Sequence, residues 1–374
     1  MLSQANLDAL KLQGLYRSRR IIDDKKIVNF CSNDYLGLSK NENVIAAFKK
    51  AADDYGVGSG SAHLICGHSK AHHLLEEELA EFAGRERALL FSTGYMANLG
   101  AINALVGRGD SVFEDKLNHA SLLDGGLSSG ANFKRYPHAD LTQLEKLLSK
   151  ASGQKLIVTD GVFSMDGDVA PLRELANLAK KNDALLMVDD AHGFGVLGKT
   201  GGGLVEELNL TQNDVPILMG TLGKAFGTFG AFIAGSELLI ETLIQSARTY
   251  IYTTALPPAI AEATRASLKI VIEETWRREK LQALISQFKS GAAESDLPLM
   301  PSDSPIQPLL IGDSFRTTKM SQQLLDVGFL VSAIRPPTVP KNKARLRITF
   351  SALHEFDDVS RLLETLSCLN KLEN

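Results

Sequence analysis

Short apolar runs recur along the chain, each closed by glycine or a polar residue: Ala88 to Phe91, Leu156 to Thr159, Ala184 to Val188, Ile217 to Met219 and Ala231 to Ala234. Runs of this length without polar alternation read as strands buried on both faces. Helical periodicity lies between them, clearest from Pro171 to Lys181, where Leu172, Leu175, Ala176 and Ala179 share one face behind a first-turn proline. Strand and helix alternate, so the pattern predicts an α/β fold around a large, mostly parallel sheet. Beyond Thr254 the pattern changes. Pro257 and Pro258 open a long helical stretch through Trp276 and Phe288, and a loop rich in Ser, Asp and Pro spans Ala293 to Pro305. Strand-like Ile306 to Ile311, Phe329 to Ile334 and Leu346 to Phe350 follow with helical segments around them, the pattern of a smaller α+β C-terminal domain. The expected organisation is an N-terminal segment over 1–40, a large domain over 41–255, and a linking helix with the small domain over 256–374.

Composition narrows the function classes. At 374 residues, with 44% hydrophobic and 22% charged positions, the chain is of ordinary globular make-up and long enough for two domains. Its net charge is only -4, and no Lys/Arg block is long enough to act as a nucleic-acid or membrane footprint, so small-molecule partners are favoured. Cys31, Cys66 and Cys368 are scattered without a CxxC pair, as expected of a compartment where thiols stay reduced. The segment Met1 to Arg20 lacks a secretory apolar core, and no apolar run approaches bilayer-crossing length, so a cytoplasmic location is expected.

Three segments carry chemistry. In ALLMVDDAHGFG, Ala184 to Gly195, the strand delivers Asp189 and Asp190 to its carboxyl end, the edge of an open α/β sheet where ligands bind. His192 follows three residues after Asp189, so one short loop can aim a carboxylate and an imidazole at the same ligand. Alone, the segment also fits a solvated loop with a surface histidine. A metal pair is disfavoured, because neither HExxH nor a clustered third ligand accompanies it. In MGTLGKAFGTFG, Met219 to Gly230, Lys224 stands among small residues between two buried strands. A phosphate-cradling P-loop would need glycine at 218 and Ser or Thr at 225, where the chain has Leu218 and Ala225. Two readings of Lys224 remain: a structural lysine covering a helix entry, and a Schiff-base lysine whose glycine neighbours leave clearance for a planar cofactor. In FSTGYMAN, Phe91 to Asn98, a strand end turns into a helix whose first amides can hold a phosphate, a role compatible with ordinary capping. His119 follows the strand Ser111 to Phe113, and a lone histidine there is a weak signal. Gly193, Gly195 and Gly198 spell GxGxxG, yet Lys199 to Gly203 form no helix, so the dinucleotide fingerprint lacks its context.

In chain order these segments, with Ser164 in GVFSMDGD and Thr221 ahead of Lys224, resemble the α-oxoamine synthases, a family of fold-type I pyridoxal-phosphate transferases. The resemblance runs over nearly the entire chain and rests on NFCSNDYLGLS, GVFSMDGDVAPL, VDDAHGFGVLG and GTLGKAFG. IRPPTVP, Ile334 to Pro340, is more similar to the biotin-pathway branch than to the glycine-using members. The resemblance implies that pyridoxal 5'-phosphate is held as a Schiff base on Lys224, which also acts as base at the substrate Cα, and that Asp189 pairs with the ring nitrogen. It further implies His192 and Ser164 on the ring-hydroxyl side, and His119 stacked on the ring and assisting proton transfer. Gly94, Tyr95 and Thr221 would hold the phosphate, with Thr254 contributing from a partner subunit of a homodimer. Arg347 would grip the amino acid carboxylate. Thr338 and an N-terminal arginine, Arg17 with Arg19 as the alternative, would contact the acyl substrate. The implied substrates are L-alanine and a pimeloyl thioester, carried on coenzyme A or on a carrier protein, with no metal. Neighbouring readings are a glycine-using member of the family and an aminotransferase on the same fold; a non-catalytic regulator is disfavoured by the absence of a basic DNA-binding appendage.

Overall fold

In the computed structural model, which describes residues 3–13, 15–22 and 26–372, the apolar runs pair into one seven-stranded sheet. Its strands are β1 (Arg87–Phe91), β2 (Ser111–Asp115), β3 (Asn132–Tyr136), β4 (Lys155–Asp160), β5 (Leu185–Asp189), β6 (Ile217–Thr221) and β7 (Ala231–Gly235). The order is β1-β7-β6-β5-β4-β2-β3. Pairing is parallel from β6 across to β3, and β7 runs antiparallel to both of its neighbours. The mostly parallel sheet is therefore as the sequence predicts. Leu89, Phe91, Val112, Leu156, Val158, Met187, Ile217 and Met219 bury one face against Ala97, Ala101 and Ile102 of the helix Gly94–Leu105. Phe113, Ile157, Leu186, Leu218 and Phe232 are buried on the opposite face. Strands covered on both sides must be apolar throughout, which is why the runs are continuous. The edge strand β3 is the exception: of NFKRY only Tyr136 is buried, so no apolar run announces it.

The chain forms two compact units. The larger comprises Leu36–Ser164 and Val169–Arg278; the smaller comprises Met1–Tyr35, Met165–Asp168 and Glu279–Asn374. The expected boundary at 255/256 falls before the helix Pro258–Glu273, whereas the units exchange chain at 278/279. In the smaller unit β8 (Ile306–Gly312), β9 (Ser332–Ile334) and β10 (Ala344–Thr349) form an antiparallel sheet in the order β9-β10-β8. Phe30, Phe288 and Phe350 pack at its core, with ring centroids 5.5 Å apart for Phe30–Phe350 and 5.2 Å for Phe288–Phe350. The expected strand Phe329 to Ile334 is split at Val331, whose carbonyl accepts from Ser321 Oγ at 2.7 Å. Phe329–Leu330 pairs instead with Val28–Asn29, which ties the N-terminal segment into this unit. The long helical stretch likewise divides into Pro258–Glu273 and Trp276–Glu294. Among the described residues no helix is long and apolar enough to cross a membrane.

One buried acid makes stability depend on pH. Glu114 of β2 is fully buried; Asn118 donates to its Oε2 at 3.4 Å and its Oε1 has no hydrogen-bond partner. Burial pushes its carboxyl from near 4.5 up to about 8. Because the folded value lies above the unfolded one, the stabilisation it contributes is complete below the unfolded value and is lost as pH rises through the folded one. Urea unfolding at pH 6 and pH 9 should show a smaller alkaline loss in Glu114→Gln than in the parent. A residual slope is expected, since burial also pushes Asp190 up to about 8. Equal losses in both proteins would contradict this account of Glu114.

Candidate active site

The carboxyl ends of the parallel strands gather the chemistry of the larger unit. β5 ends at Asp189, β4 at Asp160 and β6 at Thr221, and the register sets Asp160 beside Asp189. Asp189 is 4% exposed and accepts from Asn98 Nδ2 at 2.7 Å and from the Ala191 N–H at 3.0 Å. Asn98 Nδ2 also donates to Ser121 Oγ at 2.9 Å, and that hydroxyl lies 2.8 Å from His119 Nδ1. The Ser121 N–H donates to the same Nδ1 at 3.3 Å, so Nδ1 is an acceptor and the neutral ring carries its proton on Nε2. A continuous hydrogen-bonded chain thus joins Asp189 to His119. Asp160 closes the far side, its Oδ2 accepting from the His119 N–H at 2.6 Å. Burial and the neighbouring Asp189 charge hold the Asp160 carboxyl well above the usual carboxylate range.

The two adjacent aspartates separate cleanly by environment. Asp190 is fully buried and accepts from the Leu204 N–H at 2.6 Å. The glycines of the apparent GxGxxG serve the turn around it: a Cβ at Gly193 would lie 2.0 Å from Asp190 Oδ1, and Gly195 and Gly198 adopt φ of 81° and 82°. The segment that follows contains only the short helix Gly203–Glu207, so the dinucleotide motif is a coincidence of turn glycines.

Lys224 sits half-buried on the turn after β6, its Nζ 2.9 Å from His192 Nε2. That turn is closed by the Gly227 N–H donating to the Lys224 carbonyl at 2.8 Å. Only glycine fits at 227, where φ is 65° and a Cβ would meet Ser39 N at 2.3 Å. Thr221 donates through Oγ1 to the Gly230 carbonyl at 3.1 Å. At the start of the helix Gly94–Leu105, Thr93 caps the Met96 N–H at 3.2 Å, leaving the amides of Gly94 and Tyr95 outside the cap. The Tyr95 hydroxyl bonds Asp124. Ser164 lies half-buried in the loop after β4, and exposed Thr254 accepts through its carbonyl from Ser92 Oγ at 3.4 Å.

The remaining residues singled out by sequence lie in the smaller unit. Arg347 on β10 is buried and donates to Thr349 Oγ1 at 2.9 Å and to Asn33 Oδ1 at 3.2 Å. The neighbouring Arg345 is paired with Asp166. Arg17 Nη2 donates to Thr338 Oγ1 at 3.3 Å. Both line a cavity of about 430 Å³ together with Arg20, Cys31, Ser332 and Arg335. Arg19 does not line it.

Comparison with known proteins gives the family and the fold. Residues 25–366 match the family model "Aminotransferase class I and II". The 8-amino-7-oxononanoate synthase of Saccharophagus degradans is 60% identical over 97% of this chain and 95% of its own length. The chain belongs to the 8-amino-7-oxononanoate synthase family, within the class I and II aminotransferases. A solved 8-amino-7-oxononanoate synthase from Francisella tularensis superposes with a TM-score of 0.83 at 36% identity, covering 94% of this chain and 99% of that one. Serine palmitoyltransferase from S. paucimobilis, solved with a bound PLP–myriocin adduct, gives a TM-score of 0.93 at 30% identity, covering 98% of this chain and 96% of that one. The fold is thus the fold-type I pyridoxal-phosphate transferase fold.

Set against the synthase family, the larger unit fits that cofactor on its own chemistry. It offers a buried carboxylate oriented by an amide, an amine on a tight glycine turn, and a helix start whose first residue has no side chain, where a Cβ would meet Met219 Cε at 2.7 Å. Sequence reasoning missed Asn98, Ser121 and Asp160. Asp160 had a legible signal, since LIVTD ends a buried strand in an aspartate just as MVD does. Asn98 had a fainter one, a polar residue inside the otherwise apolar start of a helix.

Proposed function

We propose that the chain catalyses the decarboxylative condensation of L-alanine with a pimeloyl thioester to give 8-amino-7-oxononanoate, carbon dioxide and the free thiol carrier, in biotin biosynthesis. The observation that carries this reading is the contact of Lys224, on the turn after β6, with His192, in the loop after β5, while Asp189 at the end of β5 is buried and held by Asn98. Pyridoxal 5'-phosphate, bound at this site, supplies an electron sink for breaking bonds at the amino acid Cα.

The residues divide the remaining tasks. Lys224 would anchor the cofactor covalently, and its amine is the group that would take the Cα proton. Asp189 keeps the ring nitrogen protonated, and Asn98 fixes the carboxylate for that purpose. His192 and Ser164 serve the ring-hydroxyl side. His119 would cover the ring face; with Nδ1 tied to Ser121, its Nε2–H is the proton it can offer. The Gly94 and Tyr95 amides with Thr221 hold the phosphate, and Thr254 contributes from the second subunit of a homodimer. Arg347, buried on β10, would take the substrate carboxylate through its planar guanidinium. As a biosynthetic enzyme of small molecules, the chain works in the cytoplasm.

Arg17 and Thr338 receive the acyl substrate. The cavity they share carries three arginines, a lining suited to an acyl chain that ends in a carboxylate. Arg17→Ala should raise KM for the pimeloyl thioester by about 10- to 100-fold, the worth of one hydrogen bond to a charged group, and leave KM for alanine unchanged. Arg19→Ala should change neither. An equal effect of both variants would remove the assignment of Arg17. The reaction itself is tested by incubating the holoenzyme with alanine or glycine and a panel of acyl thioesters, on coenzyme A and on carrier protein, and weighing the products. The mass of 8-amino-7-oxononanoate from alanine and pimeloyl thioester is expected; faster turnover of glycine with a short acyl donor would overturn the reading.

A further inference from the structure

The stretch HLICGHSKAHHLLE, His63 to Glu76, holds four of the chain's eight histidines, and the proposed reaction uses none of them. It folds as a π-helical turn, His63–Gly67, followed by the helix Lys70–Phe82. His73 and Glu76, three residues apart, share one face of that helix. A ligand atom from each of them and one from His68 all lie within 4.8 Å of one another. His68 Nε2 is 4.0 Å from Glu76 Oε2. Ligands on one tetrahedral zinc stand about 3.4 Å apart, from bonds of about 2.0–2.1 Å, so a small closure would bring the two onto a common ion.

The inner atoms of the same side chains are already tied. His68 Nδ1 lies 3.0 Å from His63 Nδ1, and the His63 ring is stacked on Tyr250 with centroids 5.0 Å apart. Glu76 Oε1 accepts from the Leu90 N–H at 2.9 Å, and Glu76 is buried enough for its carboxyl to be pushed up to about 7. This is the outer-shell pattern of metal-binding imidazoles and carboxylates, in which the atom away from the ion is fixed by a hydrogen bond. A second trio, His63, His68 and His72, is equally close together. His72, however, has both nitrogens engaged: Nδ1 accepts from the Ser69 N–H at 3.0 Å, and Nε2 donates to the Leu256 carbonyl at 2.6 Å. His73 Nε2 has a single exposed contact with Glu77 at 3.3 Å, which a metal bond can replace.

We propose that His68 Nε2, His73 and Glu76 Oε2 form a site for a divalent transition-metal cation of the zinc class, with His63 as the outer-shell partner of His68 and water completing the coordination. Two imidazoles and one carboxylate suit zinc or cobalt and disfavour calcium and magnesium, which take oxygen ligands.

The test is titration of untagged holoenzyme with Zn²⁺ by calorimetry and with Co²⁺ by visible spectroscopy. One ion per chain is expected, with a cobalt spectrum indicating nitrogen ligation. His73→Ala removes an exposed side chain and should leave the fold intact while weakening binding at least about 10-fold; Glu76→Gln should do the same, and His63→Phe should weaken it less. Absence of saturable binding would overturn the site. So would affinity unchanged in His73→Ala, or affinity lost in His72→Ala alone, which would place any ion on the inner trio.

Discussion

Replacing Lys224 with alanine is expected to lower condensation turnover at least about a thousandfold and to abolish the visible absorption that a lysine-bound cofactor gives. General base catalysis alone is worth about 10²- to 10⁴-fold, and in the proposed role the same amine is also the covalent anchor. Loss of fold should not confuse the result. The turn carrying Lys224 is closed through its backbone carbonyl and Gly227, neither of which the substitution touches, and the side chain is only half-buried. Thermal unfolding of apoprotein should therefore change by no more than a few degrees. An unchanged spectrum would remove Lys224 from the site.

Asp189→Asn is expected to retain the cofactor yet slow exchange of the alanine α-proton by about 10²- to 10⁴-fold. Asparagine is nearly isosteric, and its Oδ1 can still accept from Asn98 or from the Ala191 N–H. The negative charge proposed to pair with the ring nitrogen is lost. Removing one partner of a buried charge pair costs about 3–5 kcal/mol, and each 1.36 kcal/mol is tenfold in rate. Proton exchange followed by NMR in deuterated buffer reads this step without any acyl donor. Near-normal exchange would show that the ring stays protonated without Asp189.

Much of this site is legible in the amino-acid sequence because buried parallel strands advertise themselves. Continuous apolar runs ending in a charged or small residue locate the carboxyl edge of the sheet, where Asp189 and Thr221 lie; the roles expected of them and of Lys224 come from the family resemblance. What escapes is set by contacts distant in the chain. Asn98 matters only because its side chain reaches Asp189 at the end of β5, and Ser121 only because it meets both Asn98 and His119. The edge strand β3 escapes for the opposite reason: with a single buried side chain it has no hydrophobic signature. Phe329 to Ile334 reads as one strand, since nothing local reveals that Val331 turns its carbonyl to Ser321 and divides the run between two pairings.

The most direct measurement is reductive trapping. Holoenzyme treated with borohydride, digested and sequenced by mass spectrometry should carry the phosphopyridoxyl group on the peptide containing Lys224 and nowhere else. A label on another lysine, or a reduced protein with no added mass, would contradict the claim that this amine holds the cofactor.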